Sequence, residues 1–239
     1  MMQAYLELDE IVEARTAKGF GGRFYGAYPA LVRDVRDPDN QGRVKVALPW
    51  SPDAAGASYE VWARVSTLMA GNNQGSWFIP DTNVEVLVIF LGGDPRNPCV
   101  IGALWNGQDA PPQSMDGAGN NNIKKIRSRN GVAITLDDTQ GAESLTLETP
   151  GGQKIALKDG PGSIQIQDSN GNSVTLDSSG VTVNAASQVN ISCSQAEVTA
   201  GMVTVNAGMS QFSGVVNADT VITNSVVSAS YTPGAGNIW

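Results

Sequence analysis

Apolar residues in the second half of the chain come in pairs split by one residue: Ile134/Leu136, Leu145/Leu147, Ile155/Leu157, Ile164/Ile166, Val174/Leu176, Val181/Val183 and Val189/Ile191. Their first members advance by 11, 10, 9, 10, 7 and 8 residues. A period of two, broken at nearly constant pitch, predicts short strands joined by turns rather than helices. The breaks carry turn chemistry, as in Asp159-Gly160-Pro161-Gly162 and Asp168-Ser169-Asn170-Gly171. No proline occurs between Pro161 and Pro233, so nothing there forbids a continuous backbone ladder.

An open sheet of this kind exposes unpaired edges, and after Lys158 the chain has no Lys or Arg to blunt them. The array is therefore expected to close, either as a single-chain β-helix or as a prism in which three chains each supply one face. Units of 7 to 11 residues suit the prism better, since a single-chain coil takes roughly 20 residues or more per turn. Periodicity alone leaves both open.

The first half has a different character. Residues 2–18 place Tyr5, Leu8 and Val12 at helical spacing before Gly19, which predicts a short amphipathic helix followed by a Gly-rich joint. Strands are expected at 30–35, 43–48, 59–68, 84–91 and 99–105, richer in bulky side chains and accompanied by Trp50, Trp62, Trp77, Phe78, Phe90 and Trp105. Five such strands in about 80 positions suit a small closed barrel of the OB type. Residues 107–122 turn to Gly, Pro, Asn and Gln, as a linker does, and Lys124, Lys125, Arg127 and Arg129 then form the densest positive charge, read as a collar.

Composition removes several function classes. A net charge of −8 and basic residues interleaved with Asp34, Asp37, Asp39 and Glu60 disfavour nucleic-acid binding by the barrel. The absence of histidine excludes Ser-His-Asp triads, Cys-His dyads and Cys/His zinc sites. Cys99 and Cys193 read as small apolar residues. Asp137-Asp138, Asp168 and Asp177 sit where solvated turn carboxylates are expected, so no enzyme is expected, and neither is a metal or other cofactor. The start of the chain offers no secretion signal, which predicts assembly in the cytoplasm.

Asp37-Pro38-Asp39-Asn40-Gln41-Gly42-Arg43-Val44-Lys45-Val46, Trp62-Ala63-Arg64-Val65, Gly75-Ser76-Trp77-Phe78-Ile79-Pro80, Val84-Glu85-Val86-Leu87-Val88 and Gly92-Gly93-Asp94-Pro95-Arg96-Asn97-Pro98-Cys99-Val100-Ile101-Gly102 carry a resemblance. Together they resemble the OB domain of the central spikes of contractile injection systems, the phage baseplate assembly protein V and VgrG family, over about a third of the chain. Asn83 stands where the family often has glycine; asparagine tolerates positive φ, so the turn is expected to survive.

The resemblance selects the three-chain closure. It implies an all-β chain with an OB-fold barrel followed by an intertwined trimeric triple-stranded β-helix. The parts are 1–22 (helix and joint), 23–106 (barrel), 107–122 (linker), 123–230 (needle) and 231–239 (tip-docking segment). By the same resemblance the function is that of a baseplate spike in a phage tail or phage-tail-like particle, joining a hub protein to a membrane-piercing needle. A separate PAAR-type tip protein would dock on Tyr231, Pro233, Ile238 and Trp239. The motif residues Asp37, Pro38, Gly42, Arg43, Trp77, Pro80, Asp94, Pro95, Pro98 and Gly102 would be structural or hub-facing. The implied partners are two further copies of the chain, the hub, the tip and, transiently, the target envelope. With no room seen ahead of the barrel for a fused hub domain, a phage-like or extracellular particle is favoured over a type VI apparatus. A trimeric fibre or adhesin stalk is the alternative.

Overall fold

The computed structural model describes residues 22–52 and 55–230. The helix expected within residues 2–18 lies outside them. The first compact unit runs to Gln188 and the second from Val189.

Strands β1 (Ala27–Asp34), β2 (Val44–Pro52), β3 (Ser58–Val65), β6 (Glu85–Phe90) and β7 (Pro98–Ala103) close into a barrel in the order β1-β2-β3-β7-β6. Alternation aims Ala30 and Val32 of β1, Val44, Val46 and Leu48 of β2, Ala63 of β3, Val86, Val88 and Phe90 of β6 and Val100 of β7 into one core. The barrel is antiparallel except where β3 runs parallel to β7. One end is plugged by aromatic rings: Tyr28 stacks on Trp50 at 4.6 Å and Phe24 meets Phe90 at 5.0 Å. Trp50 Nε1 satisfies its donor on Pro29 O at 2.8 Å. Residues 66–84 carry a two-residue hairpin, β4 (Ala70–Gly71) with β5 (Gln74–Gly75), and no helix.

The expected strands are present with shifted ends, and the aromatic residues that accompany them divide between core and surface. Phe90 is core, but Trp62 lies half-buried with Arg43 and Lys45 over its ring, and Trp105 is exposed beyond β7. A strand's outer face can hold an aromatic ring when long cationic side chains cover it, which alternation by itself does not reveal.

Seven further strands form one antiparallel meander: β8 (Ile123–Arg127), β9 (Ala133–Asp137), β10 (Ser144–Glu148), β11 (Lys154–Lys158), β12 (Ser163–Gln167), β13 (Ser173–Asp177) and β14 (Gly180–Asn184). Its register aligns the sequence pairs into two ladders on one face. One runs Leu136, Leu145, Leu157, Ile164, Leu176, Val181; the other runs Ile126, Ile134, Leu147, Ile155, Ile166, Val174, Val183. Small polar residues occupy the opposite face, including Thr135, Thr146, Gln165, Thr175 and Thr182.

Burial within the single chain is inverted relative to this chemistry. Ile164 and Ile166 are 40% and 48% exposed, whereas Ser163, Gln165 and Gln167 between them are half-buried. A sheet that keeps its apolar ladders in water is one face of a larger core.

The turns at one border of the sheet repeat a single design. Gly131 and Gly152 adopt φ of 95° and 88° and donate to the carbonyls of Ser128 and Thr149 three residues back. Gly171 follows with φ of 90°. Only glycine holds this left-handed position without strain. A Cβ on Gly152 would also lie 3.2 Å from Ser169 Cβ in the next turn, so the turns stack closely.

Six of the seven apolar pairs fall within strands. The seventh, Val189/Ile191, opens the second unit, which contains no strand among its described residues.

Candidate functional site

The ten motif residues separate between the two ends of the barrel. At the end where the chain departs for the meander, Asp37 organises the β1–β2 connection. Its carboxylate accepts N–H bonds from Asp39 (3.1 Å), Gln41 (2.8 Å) and Arg43 (3.1 Å) and a fork from the Arg43 guanidinium, Nε at 3.1 Å and a terminal nitrogen at 2.7 Å. The Asp37 side chain is 4% exposed. The Arg43 fork first, then the backbone donors, hold its carboxyl far below the usual carboxylate range, against the opposing effect of burial. Pro38 fixes the turn's entry, Asn40 and Gly42 take positive φ, and a Cβ on Gly42 would sit 3.1 Å from the Trp77 ring.

Trp77, Phe78, Leu68 and Met69 are exposed around this end, with Pro80 half-buried beside them. Asn83 has φ of 68° and donates its N–H to Val32 O at 2.7 Å, so asparagine serves the turn here. Asp81 accepts from Arg129 of the β8–β9 turn at 3.0 Å, tying barrel to meander. Leu104 N–H donates to Glu85 O, and Asn106 Nδ2 to Glu85 Oε2 at 2.7 Å, which directs the chain out of β7.

The opposite end holds Asp94, Pro95 and Pro98 in the β6–β7 connection. Asp94 accepts the Arg96 N–H and its guanidinium fork at 3.0 and 2.7 Å, and its pKa falls to about 2, chiefly through Arg96. Arg23 donates to Gly92 O at 2.9 Å, and the Tyr25 ring leaves no space for a Cβ on Gly93. Gly102 is exposed with open space around it, and nothing in the chain explains a glycine there.

The collar is largely paired within the chain. Lys124 contacts Asp138 at 3.0 Å and Lys125 approaches Glu148 at 3.9 Å, in addition to Arg129 with Asp81. Lys124 also donates to Asn121 O, close to the turn that Asp116 builds by accepting the N–H groups of Ala118, Asn120 and Asn121. The isolated charge run gave no sign of these partners, because Asp138 lies 14 residues from Lys124 and Asp81 lies 48 residues from Arg129.

Asp137, Asp168 and Asp177 are turn acceptors, and each has a lowered pKa. Asp168 falls to about 2, mainly through Asn172 and then Asn170. Stability from a depressed carboxylate is complete above its unfolded pKa near 4 and is lost as pH falls through the folded value. The meander turn at Asp168 and the barrel loop at Asp94 are therefore expected to hold at pH 5 and to weaken between about pH 4 and about pH 2. Circular-dichroism melts across that range check this, and Asp168→Ala should flatten the acid limb. Among the described residues no group of three or more His, Cys, Asp or Glu is placed to hold a metal ion. The tip-docking candidates Tyr231, Pro233, Ile238 and Trp239 lie outside the described residues.

Residues 28–105 match the family described as the type VI secretion system/phage-baseplate injector OB domain, and residues 144–210 match the phage baseplate V C-terminal trimerisation domain. The chain is similar to the type VI secretion system spike protein VgrG1b of Pseudomonas aeruginosa, 34% identical over 127 residues that cover 50% of this chain and 17% of the relative. It is also similar to the spike protein VgrG3 of Vibrio cholerae, 30% identical over 46% of this chain and 11% of that protein. The actin cross-linking toxin VgrG1 of Vibrio cholerae is 30% identical over 46% of this chain and 10% of its own length. The chain thus spans less than a fifth of these relatives. An injector OB domain followed by a baseplate V trimerisation domain makes this chain VgrG-like, similar to the spike proteins it matches.

Proposed function

We propose that the chain is the homotrimeric central spike of a contractile injection system, a mechanical part without catalytic activity. The observation that carries this reading is the meander's apolar face, exposed in one chain and lying mostly within the residues matched to a trimerisation domain. Three such faces turned inward form a prism with a dry core. Its stiffness comes from closed backbone ladders and cross-strand packing. Sheath contraction would drive this rod into the target envelope.

The two ends of the barrel divide its contacts. The meander leaves beside Asp37, Gly42, Arg43, Trp77 and Pro80, so those residues brace the barrel on the needle. The opposite end, with Asp94, Pro95 and Pro98, faces the hub. The segment with Tyr231, Pro233, Ile238 and Trp239 receives a PAAR-type tip protein, and the particle assembles in the cytoplasm. The injector OB match favours this over a fibre or adhesin stalk.

Removing residues 228–239 should leave the trimer intact and abolish capture of a purified PAAR-type tip in a pull-down. Undiminished capture would refute the docking role. Mutating Asp94 and Arg96 to alanine should weaken hub binding while sparing tip binding; the reverse pattern would place the hub elsewhere.

A further inference from the structure

The two parts of the needle differ in what one chain can complete. In the meander every pairing from β8 to β14 is made within the chain, between strands consecutive in sequence. Such local ladders form early and need no partner. What the meander lacks is cover for its apolar face. Residues 191–230 are the opposite case. Among the described residues no backbone–backbone hydrogen bond falls in that stretch, although its apolar residues recur as in strands. Val189, Ile191 and Cys193 are followed at seven-residue spacing by Ala196, Val198 and Ala200 and then by Val203, Val205 and Ala207. Strand-patterned backbone whose donors and acceptors find no intrachain ladder takes its partners from other copies.

The chain just after β14 is held by the meander. Asn184 Nδ2 donates to Ser173 Oγ at 3.3 Å, and Asn172 Oδ1 accepts the Ala186 N–H at 2.9 Å. The same Asn172 side chain donates to Asp168 at 2.7 Å. The β12–β13 turn therefore sets where the chain leaves β14, whose outer edge is unpaired in the sheet. An open strand edge is a template for the next strand.

From these observations we infer that the trimer assembles in a fixed order. Preformed meander faces from three copies dock first, and residues 189–230 then zip up between copies, starting at the edge of β14 and running toward the C terminus. The inference rests on the homotrimeric reading above. It assigns the affinity that brings copies together to the apolar ladders, and the distal segment contributes rigidity only after docking.

The test compares two full-length variants, Leu147→Asp in the meander and Val205→Asp in the distal segment, by native mass and limited proteolysis. Val205→Asp should remain a trimer whose distal segment is cut away, leaving a trimeric core that ends near residue 188. Leu147→Asp should be a monomer with its distal segment digested. Near-ultraviolet dichroism from the Tyr28–Trp50 stack reports whether the barrel is folded in each variant. For the unaltered chain, pulsed hydrogen exchange during refolding should protect amides of β9–β13 at least tenfold earlier than those of 203–222. A monomeric Val205→Asp, a trimeric Leu147→Asp with a protected distal segment, or simultaneous protection in the refolding chain would overturn the order. A monomeric unaltered chain would instead overturn the trimer itself.

Discussion

Ile155→Asp should convert the assembled protein into monomers at micromolar concentration. Ile155 lies between Leu147 and Ile166 in one apolar ladder, and a threefold prism brings its three copies into one layer. Each carboxylate taken out of water costs several kcal/mol after relaxation, and three like charges repel. Because about 1.4 kcal/mol is a factor of ten, association should weaken by at least about a thousandfold. Thr182→Asp, on the opposite face and pairing with Thr175, should leave the mass unchanged. Sedimentation of the two variants side by side reads the face directly, and equal effects would mean that the apolar ladders are not the interface.

Leu48→Ala should destabilise the barrel by about 2–5 kcal/mol while leaving the oligomeric mass intact. Leu48 is fully buried in the core formed by Val32, Val46 and Val88, so truncation removes transfer free energy and leaves a cavity among strands that relax only in part. The meander makes its own ladders and has its own apolar face, and among the described residues the ion pair that ties it to the barrel is the exposed one of Arg129 with Asp81. An exposed pair contributes about 0–1 kcal/mol. Thermal unfolding followed by tryptophan fluorescence should therefore show the barrel transition moving down while the trimer persists. Loss of the trimer together with the barrel would show that the two halves are coupled.

Strand periodicity carried the all-β class because an apolar-x-apolar pair with turn chemistry on each side has few other solutions. The meander's register follows from the same pairs: hairpins of nearly equal length place Leu145 beside both Leu136 and Leu157. The Asp37–Arg43 loop was legible as a tight turn from Pro38, Asn40 and Gly42. The near-complete burial of the Asp37 side chain was not, since it depends on a guanidinium folding back over six residues.

Three features were out of reach of local pattern. Trp62 and Trp105 occupy strand-like positions, but which face of a barrel strand looks inward is decided by the neighbouring strands. The pairing of the collar with Asp81, Asp138 and Glu148 is likewise tertiary. The break at Val189 was hidden because residues on both sides of it share the same alternation. What changes there is the source of the hydrogen-bond partners, and a sequence of side chains does not record it.

How many copies complete the fold is read by static light scattering of the purified full-length chain at micromolar concentration. A trimer gives a species of about 75 kDa, three times the 25.0 kDa chain. A well-folded species of 25.0 kDa would mean that one chain completes the fold alone.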